Sequence, residues 1–265
     1  MKNEILSRLP ASYPWRGNIH YFDTIDSTNT QPKRMAADGA PHGTVLIADT
    51  QTGGRGRMGR SFHSPAGSGI YLSMILRPNC VAQDLLHLTC ATAVAAADGI
   101  QDATGLRPGI KWTNDLVYER KKLGGILTEL ALNGGGNVDY AVVGIGINCN
   151  QTEADFDMSI RHMATSARII RGREANRNRL IAEMVSALSM MDRSLFSHRF
   201  DLMQRYKSDC MTLGRQVSIL RGDEVRHAVA LDIDPEGGLV VQYDNGERGT
   251  VTSGEVSVRG LYGYI

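Results

Sequence analysis

Gln51-Thr52-Gly53-Gly54-Arg55-Gly56-Arg57-Met58-Gly59-Arg60-Ser61-Phe62-His63-Ser64-Pro65-Ala66-Gly67-Ser68-Gly69 is the stretch on which the reading of this chain turns. Two apolar runs of strand character flank it, residues 45–48 before and 70–76 after. Gly54, Gly56 and Gly59 satisfy the G-x-G-x-x-G pattern, and residues 54–61 resemble a P-loop with Arg60 where lysine belongs. Both motifs need a helix to begin directly after the glycines. Pro65, Gly67 and Gly69 forbid one, and no acidic residue stands about 20 positions on to take a ribose hydroxyl. What is left is a loop between strands. Its glycines let the backbone approach a ligand closely, and its arginines carry forked donors matched to carboxylate or phosphate, so the loop is expected to hold an anion.

The charge distribution agrees. The 265 residues carry 29 Lys and Arg against 28 Asp and Glu, a formal charge of +1 that argues against a globally basic nucleic-acid binder. Residues 50–83 nevertheless contain Arg55, Arg57, Arg60 and Arg77 with no acid, whereas the last 54 residues set five Arg against eight Asp and Glu. Apolar residues at 42% and charged residues at 22% are ordinary globular values and exclude disorder, collagen and a disulfide scaffold.

Beyond the loop, residues 83–104 are rich in Ala and Leu between Asp84 and Gly105, which predicts a helix. Short strands are predicted at residues 110–112, 116–119, 125–132 and 140–147, with Asn133-Gly134-Gly135-Gly136-Asn137 as a hairpin turn. Residues 161–179 hold six Arg and one Glu and read as a solvated face or mobile linker. The spacing of Leu180, Met184, Leu188 and Met191 predicts a helix over about residues 176–206 with these four in the core. From residue 212 the pattern changes to five short strands, 217–220, 225–233, 239–243, 248–251 and 256–258, as in a small barrel. A large domain over residues 1–211 and a small one over 212–265 are expected.

Cys80, Cys90, Cys149 and Cys210 are spaced for neither a zinc-ligand pair nor a redox Cys-x-x-Cys, so reduced thiols of a cytoplasmic protein are expected, with no metal held by side chains. No run of about 18 apolar residues suggests a membrane span, and the N-terminus lacks a signal-peptide core. Residues 1–26 are too few for a helix-turn-helix with its wing, so neither membrane nor DNA is an expected partner.

The Gln51 loop and four further segments together resemble the biotin protein ligases. The segments are Asp26-Ser27-Thr28-Asn29, Lys111-Trp112-Thr113-Asn114-Asp115-Leu116, Lys121-Lys122-Leu123-Gly124-Gly125-Ile126-Leu127 and Gly144-Ile145-Gly146-Ile147-Asn148. They run in order over roughly residues 23–150, and Gly254-Glu255-Val256-Ser257-Val258-Arg259 resembles the family's C-terminal barrel. Thr113 departs where the family usually has Pro, and Met58 where a third Arg is common. The short N-terminus resembles the monofunctional members, which lack a repressor domain.

The resemblance implies an α+β fold: a mixed-sheet catalytic domain of the biotin/lipoate ligase type followed by a small SH3-like β-barrel. It implies ATP-dependent activation of biotin to biotinyl-5'-adenylate and transfer of biotin to a lysine of a biotin carboxyl carrier domain of a carboxylase. By resemblance Ser27, Thr28, Asn29, Gln51, Arg55, Gly56, Arg57, Lys122 and Gly125 meet biotin. Arg57, Arg60, Asn114, Lys122, Asn148 and Arg259 meet ATP on the same basis. Arg57 and Lys122 are expected to supply the cations that charge growing in the transition state requires, and Asp115 is a candidate for positioning or deprotonating the acceptor lysine. Read alone, Ser27-Thr28-Asn29 fits a helix N-cap equally well, and Trp112 is a core residue. Magnesium is expected with ATP, held largely by phosphates and water because no carboxylate cluster stands ready. A homodimer is left open.

Two other readings share parts of this pattern. A lipoate or octanoate ligase uses the same fold and adenylate logic, but its apolar acid has no use for the polar Ser27-Thr28-Asn29 set. A regulatory protein that senses the adenylate would bind it without transferring the acyl group. The loop is expected to order over a mixed anhydride that water would otherwise hydrolyse. Protease cleavage within residues 53–69 should therefore slow when biotin and ATP are present; equal cleavage with and without them overturns the lid.

Overall fold

The structure, a computed structural model, describes residues 2–252 and the backbone of 257–260. In chain order, α1 (Lys2–Arg8), β1 (Ile19–Ile25), α2 (Thr30–Ala37), β2 (Thr44–Gln51) and β3 (Gly69–Leu76) lead into α3 (Leu88–Thr104). The hairpin strands β4 (Gly109–Lys111), β5 (Asp115–Tyr118), β6 (Lys121–Leu132) and β7 (Val138–Asn148) follow, then α4 (Ala167–Arg171), α5 (Arg177–Ser194) and α6 (Arg199–Asp209). The tail holds β8 (Gln216–Arg221), β9 (Glu224–Ile233), β10 (Leu239–Tyr243), β11 (Arg248–Val251) and β12 (Ser257–Gly260).

Seven strands form one sheet in the order β1-β2-β3-β7-β6-β5-β4. The β1–β2 pair is parallel and every other pair antiparallel, giving the expected mixed sheet. All eight residues of β3 are buried, as befits a central strand covered on both faces. The residues 133–137 make the predicted turn, Asn133 accepting from Gly136 at 3.0 Å through its carbonyl.

Small residues decide how the helices lie. Ala91, Ala93, Ala95, Ala96 and Ala97 of α3 are buried, and a Cβ at Gly99 would stand 2.7 Å from Met184 Cα on α5. The two helices thus pack backbone against backbone. Gly105 ends α3 in the left-handed region at φ 79°, its N–H donating to Gln101 O. The start differs from expectation: Asp84 lies in a separate 3₁₀ turn, Ala82–Leu85, and α3 begins only after the buried His87. His87 Nε2 lies 2.9 Å from Leu195 O, fastening that start to the elbow between α5 and α6. The single helix expected over residues 176–206 is accordingly two helices, because α6 turns to bring the buried Tyr206 hydroxyl 3.0 Å from Thr113 O, to which it donates. Leu180, Met184, Leu188 and Met191 are buried as predicted.

The arginine-rich stretch is not simply a solvated face. Arg177 is one-tenth exposed, pairs with Asp49 at 2.7 Å and donates to Gly69 O at 2.9 Å, tying the start of α5 to β2 and β3. Arg168 meets Glu174 at the surface, and only α4 is helical before α5. An arginine here finds an acid across the fold that periodicity along the chain does not reveal.

The tail forms an antiparallel five-stranded sheet, β11-β10-β9-β8-β12, the small SH3-like unit expected. Trp112, buried in the core as expected, donates its indole N–H to Gly237 O at 2.9 Å and joins this unit to the larger sheet. Among the described residues no helix is long and apolar enough to cross a membrane. Gly99→Ala should cost about 1–3 kcal/mol in urea unfolding by forcing α3 off α5; wild-type stability would contradict that contact.

Candidate active site

The site rests on a floor without side chains. In the β6–β7 pairing Gly125 faces Gly146 and Leu127 faces Gly144. A Cβ at Gly144 would run into Asn29 Oδ1, and one at Gly146 would lie 2.7 Å from the Phe62 ring. One at Gly125 would stand 3.3 Å from both Asp115 Oδ1 and Lys122 Nζ. Three groups therefore lie on bare backbone: the turn entering α2, the glycine loop and a lysine–aspartate pair.

The turn before α2 is held by a lattice of amides. Asn29 donates through Nδ2 to Leu127 O at 3.2 Å and Glu129 Oε2 at 3.0 Å, and its Oδ1 accepts from Ser73 Oγ at 2.8 Å. Asn29 stands at the N-cap position of α2 without capping it through its side chain; Ser27 Oγ instead accepts from Asn29 N. Gln51 Oε1 accepts from Thr28 N at 2.7 Å and from its hydroxyl at 3.0 Å, while Nε2 donates to Ser64 Oγ at 2.8 Å. Gln51 thus couples the turn to the far leg of the loop.

The loop is a small hairpin. Phe62 N donates to Gly54 O at 2.9 Å and Gly56 N to Arg60 O at 2.7 Å. A Cβ at Gly54 would collide with Phe62 O, which is why glycine is required there. Met58 turns the tip at φ 55°, a strained position for a side-chain-bearing residue. Arg55 reaches Glu129 Oε1 at 3.3 Å. Arg57 Nη1 donates to Asn114 Oδ1 at 2.8 Å, and Asn114 Nδ2 donates to Ile126 O at 2.8 Å, so the arginine is moored to β6 through an amide. Burial lowers the Arg57 guanidinium from its ordinary value while Asp115 opposes this, and the group stays charged. Lys122 Nζ meets Asp115 Oδ1 at 2.7 Å.

These elements enclose a cavity of about 740 Å³, lined by Ser27, Thr28, Asn29, Gln51, Arg55, Gly56, Arg57, Arg60, Asn114, Asp115, Lys122 and Gly125. A second cavity of about 810 Å³ adjoins it, sharing Arg60 and Lys122 and reaching Asn148 under Phe156, Met158, Ile160 and Met163. Asn148 donates to Thr165 O at 3.0 Å. Arg259 lies on β12 opposite Ser218, its side chain outside the described residues, and Glu255 lies outside them altogether.

Two residues escaped the sequence reading. Glu129 binds Lys33 at 2.8 Å, Arg55 and Asn29 together; its signal was alternation, since residues 125, 127 and 129 share one face of β6. Lys111, 8% exposed, lines the first cavity within a quoted segment that carried no role for it. Among the described residues no group of three His, Cys, Asp or Glu could hold a metal, and Asp115, which lines the first cavity, is paired to Lys122. This donor set does not fit a protein-held magnesium ion.

Comparison with known proteins matches residues 21–148 to the Biotin/lipoate A/B protein ligase family and residues 212–259 to the Biotin protein ligase C terminal domain. The bifunctional ligase/repressor BirA of Bacillus subtilis is 35% identical over 230 residues, covering 86% of this chain and 70% of that protein. The biotin--[acetyl-CoA-carboxylase] ligase of Mycobacterium tuberculosis is 31% identical over 252 residues, covering 93% and 90%. The structure of a biotin protein ligase from Aquifex aeolicus in complex with biotin and ATP superposes with a TM-score of 0.78 at 28% identity, covering 92% of this chain and 99% of that one.

Partial burial alone would raise the Glu129 carboxyl, but the hydrogen bonds from Lys33 and Asn29 outweigh it and hold the group below its ordinary value. A carboxyl depressed on folding stabilises above its unfolded value and loses that contribution as pH falls through the folded one. The gap in urea midpoint between wild type and Glu129→Gln should therefore close between about pH 5 and pH 3; a gap that does not change with pH would show that the charge is not what holds the turn.

Proposed function

The chain belongs to the biotin protein ligases, and we propose that the two joined cavities form one site in which biotin and ATP meet end to end. The observation that carries this is the set of cations at the junction: Arg57 beside the first cavity, Arg60 and Lys122 lining both. A carboxylate attacking an α-phosphate brings anion against anion, and fixed cations at that point offset the charge that grows as the reaction proceeds. The polar end at Ser27, Thr28 and Gln51 suits the ureido head, which needs donors and acceptors at once. Asn29 and Gly125 shape the floor beneath it, and Arg55 and Gly56 form the wall. The second cavity, with Phe156, Met158, Ile160 and Met163 in its lining, suits a planar base with Asn148 toward it, Asn114 serves the nucleotide by holding Arg57, and Arg259 is kept as an ATP contact on the resemblance alone.

In the first step a carboxylate oxygen of biotin attacks the α-phosphorus, the bond to the bridging oxygen breaks, and pyrophosphate leaves. In the second the neutral amine of a carrier-domain lysine attacks the acyl carbon, the bond to AMP breaks, and the amine loses its proton. That amine is mostly protonated at neutral pH, its ordinary pKa being about 10.4. Asp115 is already paired with a lysine ammonium, Lys122, which supports its reading as the group that receives and orients the acceptor amine. Magnesium enters as part of the nucleotide substrate, and no step is assigned to it. The carrier domain of a biotin-dependent carboxylase is the partner, and the cytoplasm the place of action. The match of the C-terminal domain from residue 212 supports a division of the chain after residue 211.

ATP–pyrophosphate exchange should depend on biotin and be absent with lipoate or octanoate; exchange with lipoate alone overturns the substrate, and none with any acid favours an adenylate sensor. Lys122→Met should lower exchange by about 100- to 1000-fold. Arg57→Gly should release free adenylate faster in a filter-binding chase, and unchanged retention would remove Arg57 from that role.

A further inference from the structure

Trp112, Thr113 and Asn114 form the turn between β4 and β5, strands that pair through Lys111 and Asp115. The turn presents both groups that hold cations of the site: Asn114 accepts from Arg57 at 2.8 Å, and Asp115, the residue that follows, meets Lys122 at 2.7 Å. Its own main chain is held by residues far along the chain. Trp112 N donates to Thr212 Oγ1 at 2.9 Å, and Thr113 O accepts from the Tyr206 hydroxyl at 3.0 Å.

Tyr206 is fully buried, and it lines neither cavity. Burial pushes its hydroxyl well above the ordinary value, against the pull of the Arg57 charge, so the group stays a donor. The helix that carries it is clamped at both ends. Arg199 donates to Pro235 O at 2.8 Å, Lys207 meets Asp232 at 2.9 Å, and Asp209 pairs with Arg107. Thr113 is 3% exposed, which leaves little room for water to serve its carbonyl if the hydroxyl is removed. A rigid line therefore runs from α6 through Tyr206, the Thr113 carbonyl and Asn114 to Arg57. A cation that offsets charge in a transition state works only if it is held in place beforehand.

Resting on the ligase reading above, we propose that Tyr206 is a positioning residue for adenylate formation: its hydroxyl fixes the Thr113 carbonyl, which sets the adjoining Asn114, which in turn aims Arg57 at the reacting phosphate. Tyr206 meets neither substrate and acts only through this turn.

The test is the kcat of biotin-driven ATP–pyrophosphate exchange, with Tyr13 as the control. Tyr13 is also buried, lines neither cavity and donates its hydroxyl to a main-chain carbonyl, Val185 O, at 3.0 Å. Tyr206→Phe should lower kcat about 10- to 100-fold, whereas Tyr13→Phe, which loses an equivalent bond, should keep kcat within about twofold of wild type. In an Arg57→Gly background Tyr206→Phe should change kcat by less than about twofold, because the link it serves is already gone. Thr212→Val, which removes the acceptor of Trp112 N on the same turn, should show the same dependence on Arg57 and decides the matter if Tyr206→Phe does not fold. Wild-type kcat in Tyr206→Phe, an equal loss in Tyr13→Phe, or the same fold loss with and without Arg57 overturns the proposal and leaves the hydroxyl a packing contact. Absence of exchange in wild type would instead bring down the ligase reading itself, and this inference with it.

Discussion

The site exists because two paired strands carry no side chains where they cross its centre. Gly125 opposite Gly146, with Gly144 one step along the same face, leaves backbone as the floor, and the space that side chains would fill is taken by Asn29, Phe62 and the Asp115–Lys122 pair. The cavity is the remainder of that exchange. A single methyl at Gly144 or Gly146 would lift the turn or the loop from the sheet, so the arrangement depends on close approach and less on any one hydrogen bond.

Charges are mounted on this floor by neutral amides and by paired acids. Asn114 holds Arg57 against β6, Gln51 joins the turn to the loop, and Glu129 gathers Lys33, Arg55 and Asn29. Each tether crosses between elements far apart in sequence. A cation placed this way need not be ordered by the substrate at the moment of reaction, which is how fixed electrostatics lowers a barrier where anions meet. The loop remains a hairpin attached at its base and at Arg57, an arrangement that lets its tip fold over bound ligand while its root stays registered on the sheet.

Much of this was legible from residue order. The glycine and arginine run forbade a helix and required a loop between strands, and β2 to β5, β7, the hairpin turn and the five-stranded tail fell close to where turn residues and alternation placed them, whereas β1 and the first four residues of β6 went unread. Helix limits were less legible. The break at the α5–α6 elbow and the late start of α3 are set by His87 reaching Leu195 and by Tyr206 reaching Thr113, contacts that leave no periodic trace. Arg177 looked like one solvated charge among six, yet Asp49, 128 positions away, makes it a largely covered strut.

What the sequence determined by itself was kind: a mixed-sheet ligase fold with a small β tail, an anion-holding loop, and the residues that carry the family pattern. The loop, the strands and the tail follow from local chemistry, because glycine, proline and alternating apolar positions act on their immediate neighbours, whereas the mixed-sheet ligase fold was implied by the family resemblance of five segments in order. Tertiary structure alone decided which polar atoms are used up and which stay open. Asn29 and Asn114 both read as ligand-facing amides, but the fold commits Asn29 to the sheet and Asn114 to mooring Arg57, whereas Gln151, unremarked in the sequence, has a buried amide oxygen without a hydrogen-bond partner among the described residues. Satisfaction of a hydrogen bond is a property of three-dimensional neighbours, so no reading along the chain could have separated them.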